Sequence, residues 1–128
     1  MTLETEFILY VSDQKKSCAF YKELLQAAPV LDVTGMTEFK LSEHTKLGLM
    51  PESGIFKIIG HATAHPSQAN GIPRCELYLK AEEDTVKSMF KRIKECGALI
   101  ISEFEKRDWH DTVAYFADPD GHIIALAY

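Results

Sequence analysis

The sequence predicts an α+β fold: two copies of one strand–helix–strand–strand–strand module, forming curved mixed sheets around a cleft. Three observations predict it. Element signals follow the same order in both halves; strand segments alternate apolar and polar residues while helical segments carry apolar stripes; and matched residues recur at constant spacing. Glu6, Leu9, Val11 and Phe20 map onto Glu76, Leu79, Ala81 and Phe90 at an offset of 70, and Leu47 and Leu49 onto Ile124 and Leu126 at an offset of 77. The first module is expected at residues 4–52 and the second at 75–128, joined by a linker at 53–74, all within one domain of 1–128.

In the first module Phe7, Leu9 and Val11 alternate with Glu6, Ile8 and Tyr10, the period of a half-buried strand. Ser12 and Asp13 offer N-caps for a helix whose stripe is Cys18, Tyr21, Leu24 and Leu25, widened by Phe20. Pro29 ends it. Strands are expected at Val30–Thr34, Thr37–Leu41 and Lys46–Met50, separated by Gly35 and by a turn at Ser42–Thr45. From Ser53 to Arg74, Gly54, Gly60, Pro66, Gly71 and Pro73 break the pattern, and a strand at Ile55–Ile59 is the one element expected there. His61 and His65 have i, i+4 spacing, but Ala62 stands where a metalloprotease helix needs glutamate, so a surface loop is the reading.

The second module repeats the order. Leu77, Leu79 and Ala81 alternate with Glu76, Tyr78 and Lys80, and Asp84 or Thr85 can cap a helix with Val86, Met89, Phe90 and Ile93 on its apolar face. Gly97 suits the left-handed position after that helix. Strands follow at Leu99–Phe104, Thr112–Ala117 and His122–Tyr128, the last two joined by the turn Asp118-Pro119-Asp120-Gly121.

Composition excludes several classes. With 128 residues the chain can bury roughly two-thirds of its unfolded surface, so its core needs no disulfide or metal staple. A hydrophobic share of 46% with 26% charged residues is that of a globular chain, not a disordered one. No apolar run approaches the roughly 18 residues of a membrane span. The start carries acids where a leader would carry bases, so a cytoplasmic protein is expected. Fourteen basic against nineteen acidic residues, net −5, argue against a nucleic-acid partner. Three cysteines without metal or redox spacing are expected to be buried free thiols.

Placing one helix on the apolar side of each sheet leaves the other side to Glu6, Tyr10, Glu38, Lys40, Lys46, Glu76, Tyr78 and Tyr115. A concave face of aromatics with a few charges suits a small-molecule ligand. Glu6 and Glu76 occupy matching strand positions and could act as an acid/base pair, one pKa raised by repulsion from the other. Trp109, just before a strand, could stack on a flat ligand.

Tyr10-Val11-Ser12-Asp13, Ser17 and Phe20-Tyr21-Lys22-Glu23-Leu24-Leu25, then Trp109 and Ala114-Tyr115-Phe116-Ala117-Asp118-Pro119-Asp120-Gly121-His122, together resemble the vicinal-oxygen-chelate superfamily, the glyoxalase/bleomycin-resistance/dioxygenase fold. The likeness spans nearly the whole chain. It implies a divalent metal held by the first and last strands of each half, at positions that here are Glu6, Gly48, Glu76 and Ala125. Two of those four carry no donor, whereas a catalytic ion needs three or more protein ligands. His122 points to the opposite sheet face, and His44 lies about 13 Å along the strand from Gly48.

The expectation is therefore a small-molecule-binding protein of the glyoxalase/bleomycin-resistance type without a tightly bound native metal, its ligand lined by Glu38, Tyr78, Trp109 and Tyr115. Its alternative is a lyase, isomerase or dioxygenase related to lactoylglutathione lyase, in which Glu6 and Glu76 serve a zinc, nickel, iron or manganese ion as ligand and base. A scaffold or regulatory module without a ligand is the third reading. A homodimer is expected, since a βαβββ half is too small to bury its sheet alone.

Overall fold

A computed structural model describes residues 1–69 and 71–128. The opening alternation forms strand β1 (Thr5–Val11), and the Asp13 side chain then accepts from the Lys16 backbone N–H at 3.0 Å, starting helix α1 (Gln14–Leu25). Such a cap contributes about 1 kcal/mol. Strands β2 (Leu31–Val33), β3 (Met36–Ser42) and β4 (Thr45–Pro51) follow, and then helix α2 (Glu52–Ile59). The strands form a sheet of order β1-β4-β3-β2, in which β1 runs parallel to β4 and the other pairs are antiparallel. Gln14 ties the start of α1 to this sheet: its amide nitrogen donates to Val33 O and Thr37 Oγ1, and its oxygen accepts from Gly35 N–H.

The second sheet repeats the plan. β5 (Glu76–Lys80), helix α3 (Glu83–Glu95), β6 (Leu99–Lys106), β7 (Thr112–Ala117) and β8 (Ile123–Ala127) give the order β5-β8-β7-β6, again with one parallel pair, β5 with β8. The duplication read from spacing is also a duplication of register. Phe7 and Leu9 pair with Leu47 and Leu49, and Leu77 and Leu79 pair with Ile124 and Leu126. Phe39 opposite Leu47 is matched by Phe116 opposite Ile124.

The chain divides into two compact units: Met1–Lys22 with Gln26–Asn70, and Glu23–Leu25 with Gly71–Tyr128. In the first, Phe39, Leu47, Leu49 and Tyr21 are buried. In the second, Phe90 of α3 meets the Phe104 and Phe116 rings at centroid distances of 5.1 and 6.3 Å, with Val86, Ile93, Ile124 and Leu126 buried around them. Gly97 takes a left-handed conformation (φ +82°), and the Gly97 and Ala98 N–H groups donate to Lys94 O and Ile93 O, closing α3.

Three expectations need correction. Ile55–Ile59 is not a strand; it belongs to α2. A short apolar run fits either element by periodicity, and here Ile55 and Ile59 share a helical face. The first residue of α2 is acidic, as suits a helix start, and Ile55 is buried while Ile58 stays exposed. Helix α3 begins before Asp84 and Thr85: Glu82 is its N-cap, without a side-chain cap bond, and Glu83 and Asp84 lie in its first turn. Finally, Cys18 is buried, but Cys75 and Cys96 are exposed, because they flank β5 and end α3 rather than face a core. His61–His65 forms no helix, and Phe56 packs against His65 at 4.8 Å. Among the described residues no helix is long and apolar enough to cross a membrane.

Candidate functional site

Register fixes which side chains share the face of each sheet opposite its buried leucines. In the first unit Glu6 aligns with Lys46 and Lys40, and Ile8 aligns with Gly48 and Glu38. The Glu6 carboxyl lies over Gly48: a Cβ at position 48 would come within 2.5 Å of Glu6 Oε1 and 3.1 Å of Ile8 Cγ1. Oε1 is closed off from solvent and has no hydrogen-bond partner. Burial, then the hydrogen bond to Glu38 and its negative charge, push the Glu6 pKa up, against the opposing pull of Lys46. Lys46 Nζ reaches Glu38 Oε1 at 3.4 Å. Beside these groups is a hollow of about 400 Å³ bordered by Glu38, Lys40 and Lys46.

This seating makes a measurable prediction. Gly48→Ala should cost about 1–3 kcal/mol, because the Glu6 carboxylate and Ile8 must give way. In a Glu6→Ala background the same substitution should cost distinctly less, since the closest obstacle is gone. A urea double-mutant cycle reads the difference. Equal costs in both backgrounds would show that the carboxyl does not rest on Gly48.

In the second unit Tyr78 aligns with Ala125 and Tyr115, and Lys80 with Ala127 and Val113. Val113, Ala125 and Ala127 are completely buried on this face, with Tyr115 packed against them. The Arg107 guanidinium lies 5.3 Å from the Tyr115 ring centre and donates to Ser102 Oγ at 2.7 Å and Val113 O at 3.2 Å, while its buried Nε has no partner. Tyr78 OH donates to Asp111 Oδ2 at 2.6 Å and accepts from Trp109 Nε1 at 2.9 Å; Lys80 Nζ donates to Asp111 Oδ1 at 2.6 Å. Bonding to Lys80 and Tyr78 holds the Asp111 carboxyl below its ordinary pKa, and Lys80 is raised in return. Burial, followed by the bond to Asp111, raises the Tyr78 phenol.

Of the residues singled out from sequence, Glu6 and Glu38 meet in the first unit, and Tyr78, Trp109 and Tyr115 gather in the second. Glu76 shares the face of Tyr78 but is exposed at the start of β5. Arg107 and Asp111 carry no signal in the sequence, and Lys80 reads there as a polar strand residue or an ion-pair partner for Glu6 or Glu76. The parity of Lys80 with Tyr78 was a usable signal. Nothing local marks Asp111, whose partners lie 31 and 33 residues away.

The four positions that the resemblance assigns to a metal do not suit one. Gly48 has no donor and the Glu6 carboxyl fills its side-chain space; Ala125 has none and is sealed among Val113, Ala127 and Tyr115. A different group offers three donor atoms within 4.8 Å of one another: Asp118, Asp120 and His122. These could hold a divalent ion by number. Asp118 Oδ1, however, already accepts from the backbone N–H groups of Asp120 and His122 at 2.9 and 2.8 Å, which organises the turn into β8. The alternating Asp-x-Asp-x-His spacing was legible, but it reads first as that turn.

Comparison with known proteins adds a family. The glyoxalase-like domain family matches residues 5–127. Similar solved structures include a glyoxalase-related enzyme from Fulvimarina pelagi, 21% identical with a TM-score of 0.82, covering 99% of this chain and 88% of that one. A glyoxalase/bleomycin resistance protein/dioxygenase family enzyme from Burkholderia phytofirmans PsJN is 11% identical with a TM-score of 0.78, covering 98% of both chains. A protein from Agrobacterium tumefaciens is 28% identical with a TM-score of 0.72, covering 99% of this chain and 97% of that one. None of the curated proteins matches in sequence.

Proposed function

Since the chain belongs to the glyoxalase-like domain family, within the vicinal-oxygen-chelate superfamily, we propose that it binds a small organic molecule on the polar-aromatic faces of its sheets and does so without a resident metal. One observation carries this reading: at both donorless positions, Gly48 and Ala125, the space a ligating side chain would need is occupied by the protein itself. What the faces retain is recognition chemistry. Tyr78, Tyr115 and Trp109 offer ring surfaces for stacking, and Glu38 with Lys46 supplies polar anchors. Glu6, whose carboxyl pKa is pushed up by burial and by Glu38, adds a further polar group to that face.

A metal-dependent lyase, isomerase or dioxygenase is the second reading, and the Asp118, Asp120 and His122 donors favour it. One experiment separates the two. The protein, purified without a metal-affinity tag, is assayed for bound metal and screened for thermal shifts against small aromatic and aliphatic metabolites, with and without chelator. Shifts that survive chelation, with metal well below one equivalent, are expected. Stoichiometric zinc, nickel, iron or manganese that is lost on Glu76→Ala or His122→Ala would overturn the metal-free reading.

A further inference from the structure

The loop between β6 and β7 does more than connect them. It runs from Arg107 to Asp111, closed by bonds from His110 N–H to Arg107 O at 2.9 Å and from Arg107 N–H to Asp111 O at 2.8 Å. Within it His110 adopts φ +78°, the left-handed conformation that closes such a loop. Those two bonds account for it, since a turn followed by one left-handed residue is an ordinary hairpin loop; what sets this loop apart is how far its side chains reach. β6 and β5 are the two edge strands, yet Asp111 and Trp109 reach the side chains of Tyr78 and Lys80 on β5.

The receiving groups form an anion site in their own right. Tyr78 and Lys80 alternate on β5 and project from one face, roughly 7 Å apart along the strand. Their neighbours on β8 are Ala125 and Ala127, so no large side chain from that strand intervenes. A phenol donor and an ammonium converge on the two oxygens of one carboxylate, each at 2.6 Å, and both bonds are charge-assisted. A second cation, Arg107, is stacked on Tyr115 of the same face. The Tyr78 ring carries one of the two donors, the Trp109 indole meets the same hydroxyl, and Tyr115 lies on the same face; Trp109 is 53% exposed, fastened by its indole N–H alone among the bonds described. The Lys80 end of the salt bridge is open to solvent, 57% exposed against 18% for the Asp111 side chain, so a competing carboxylate can reach the ammonium.

We propose that Tyr78 and Lys80 constitute a binding site for an aromatic carboxylate which the chain's own Asp111 fills, making the β6–β7 loop a displaceable, self-inhibitory strap. An incoming ligand carboxylate replaces Asp111 on the same two donors, its ring stacks beside Tyr78 and Tyr115, and Trp109 is released. No covalent step is involved. The inference rests on the ligand-binding reading above and names the class of ligand for the second unit's face.

The sequence contains one tryptophan, so Trp109 fluorescence reports the strap directly. The full chain and its Asp111→Ala and Asp111→Asn variants are compared by acrylamide quenching of Trp109 and by titration with benzoate, with circular dichroism confirming the fold. Both variants should show stronger quenching than the wild type, and Asp111→Ala should bind benzoate at least tenfold more tightly. Adding Lys80→Ala to Asp111→Ala should abolish that gain. Unchanged quenching in both folded variants would overturn the strap. Released Trp109 without tighter benzoate binding, or a gain that survives Lys80→Ala, would overturn the carboxylate site. Either failure is separable from failure of the binding reading itself, which would appear as a metabolite screen without chelator-resistant shifts.

Discussion

Ala125→Glu should lower stability by about 3–5 kcal/mol, the cost of forcing volume and charge into a sealed position. Ala125 is fully buried, with Tyr78 and Tyr115 opposite it on the flanking strands and Val113 and Ala127 in the same apolar cluster. A glutamate there must displace Tyr115 and carry a carboxylate out of water. The guanidinium of Arg107 over Tyr115 could recover part of the second cost, and none of the first. Ala125→Gln and Ala125→Leu divide the effect: leucine reports overpacking, about 1–3 kcal/mol, glutamine adds an amide, and the rest is charge. Urea unfolding followed through Trp109 provides the measurement. A glutamate variant within about 1 kcal/mol of the wild type would mean that position 125 has room for a ligating side chain. The metal-dependent reading would then regain one of its missing donors.

This experiment bears on what the sequence could disclose of the site. Absent donors were legible, because glycine and alanine at positions 48 and 125 cannot ligate whatever the fold. How the vacant space is used was not legible. That Glu6 folds onto Gly48 depends on a rotamer and on the parallel register of β1 with β4, and no local spacing encodes either. The same holds for Asp111. Its neighbours Trp109 and His110 stand out as a ring and an imidazole, while the carboxylate that organises Tyr78 and Lys80 looks in sequence like an ordinary loop acid. Parity tells which side chains share a face; it does not tell which loop bends back over that face.

The fold was more legible because two independent copies constrain each other. A short apolar alternation such as Leu77 to Ala81 is ambiguous alone. It repeats the alternation of Phe7, Leu9 and Val11, however, and those residues pair in register with Leu47, Leu49 and Pro51 just as Leu77 and Leu79 pair with Ile124 and Leu126. The linker has no second copy, and there periodicity misleads. Ile55–Ile59 is five residues of mostly apolar sequence, compatible with either period, and only the placement of Ile55 against the first unit decides for helix.

Duplication also makes the last prediction two-sided. Phe39 and Phe116 hold equivalent places, opposite Leu47 and Ile124, and both are fully buried. Truncation to alanine at either should cost about 3–5 kcal/mol, from lost transfer free energy and the cavity left behind. Phe116 should lie toward the upper end, because it also belongs to a ring cluster with Phe90, which in turn packs edge-on to Phe104. Aromatic pairs of that kind add about 0.5–1.5 kcal/mol beyond burial. Phe→Leu at each site, which keeps most of the volume, should recover the larger part of the loss. Urea midpoints by circular dichroism test both positions, and Trp109 fluorescence gives a separate view of the second unit. If Phe116→Ala costs under about 1.5 kcal/mol, α3 is not anchored through these rings. The face of the sheet that carries Tyr78, Ala125 and Tyr115 would then lack its rigid backing, and a site built on strand register would lose the support that a fixed geometry requires.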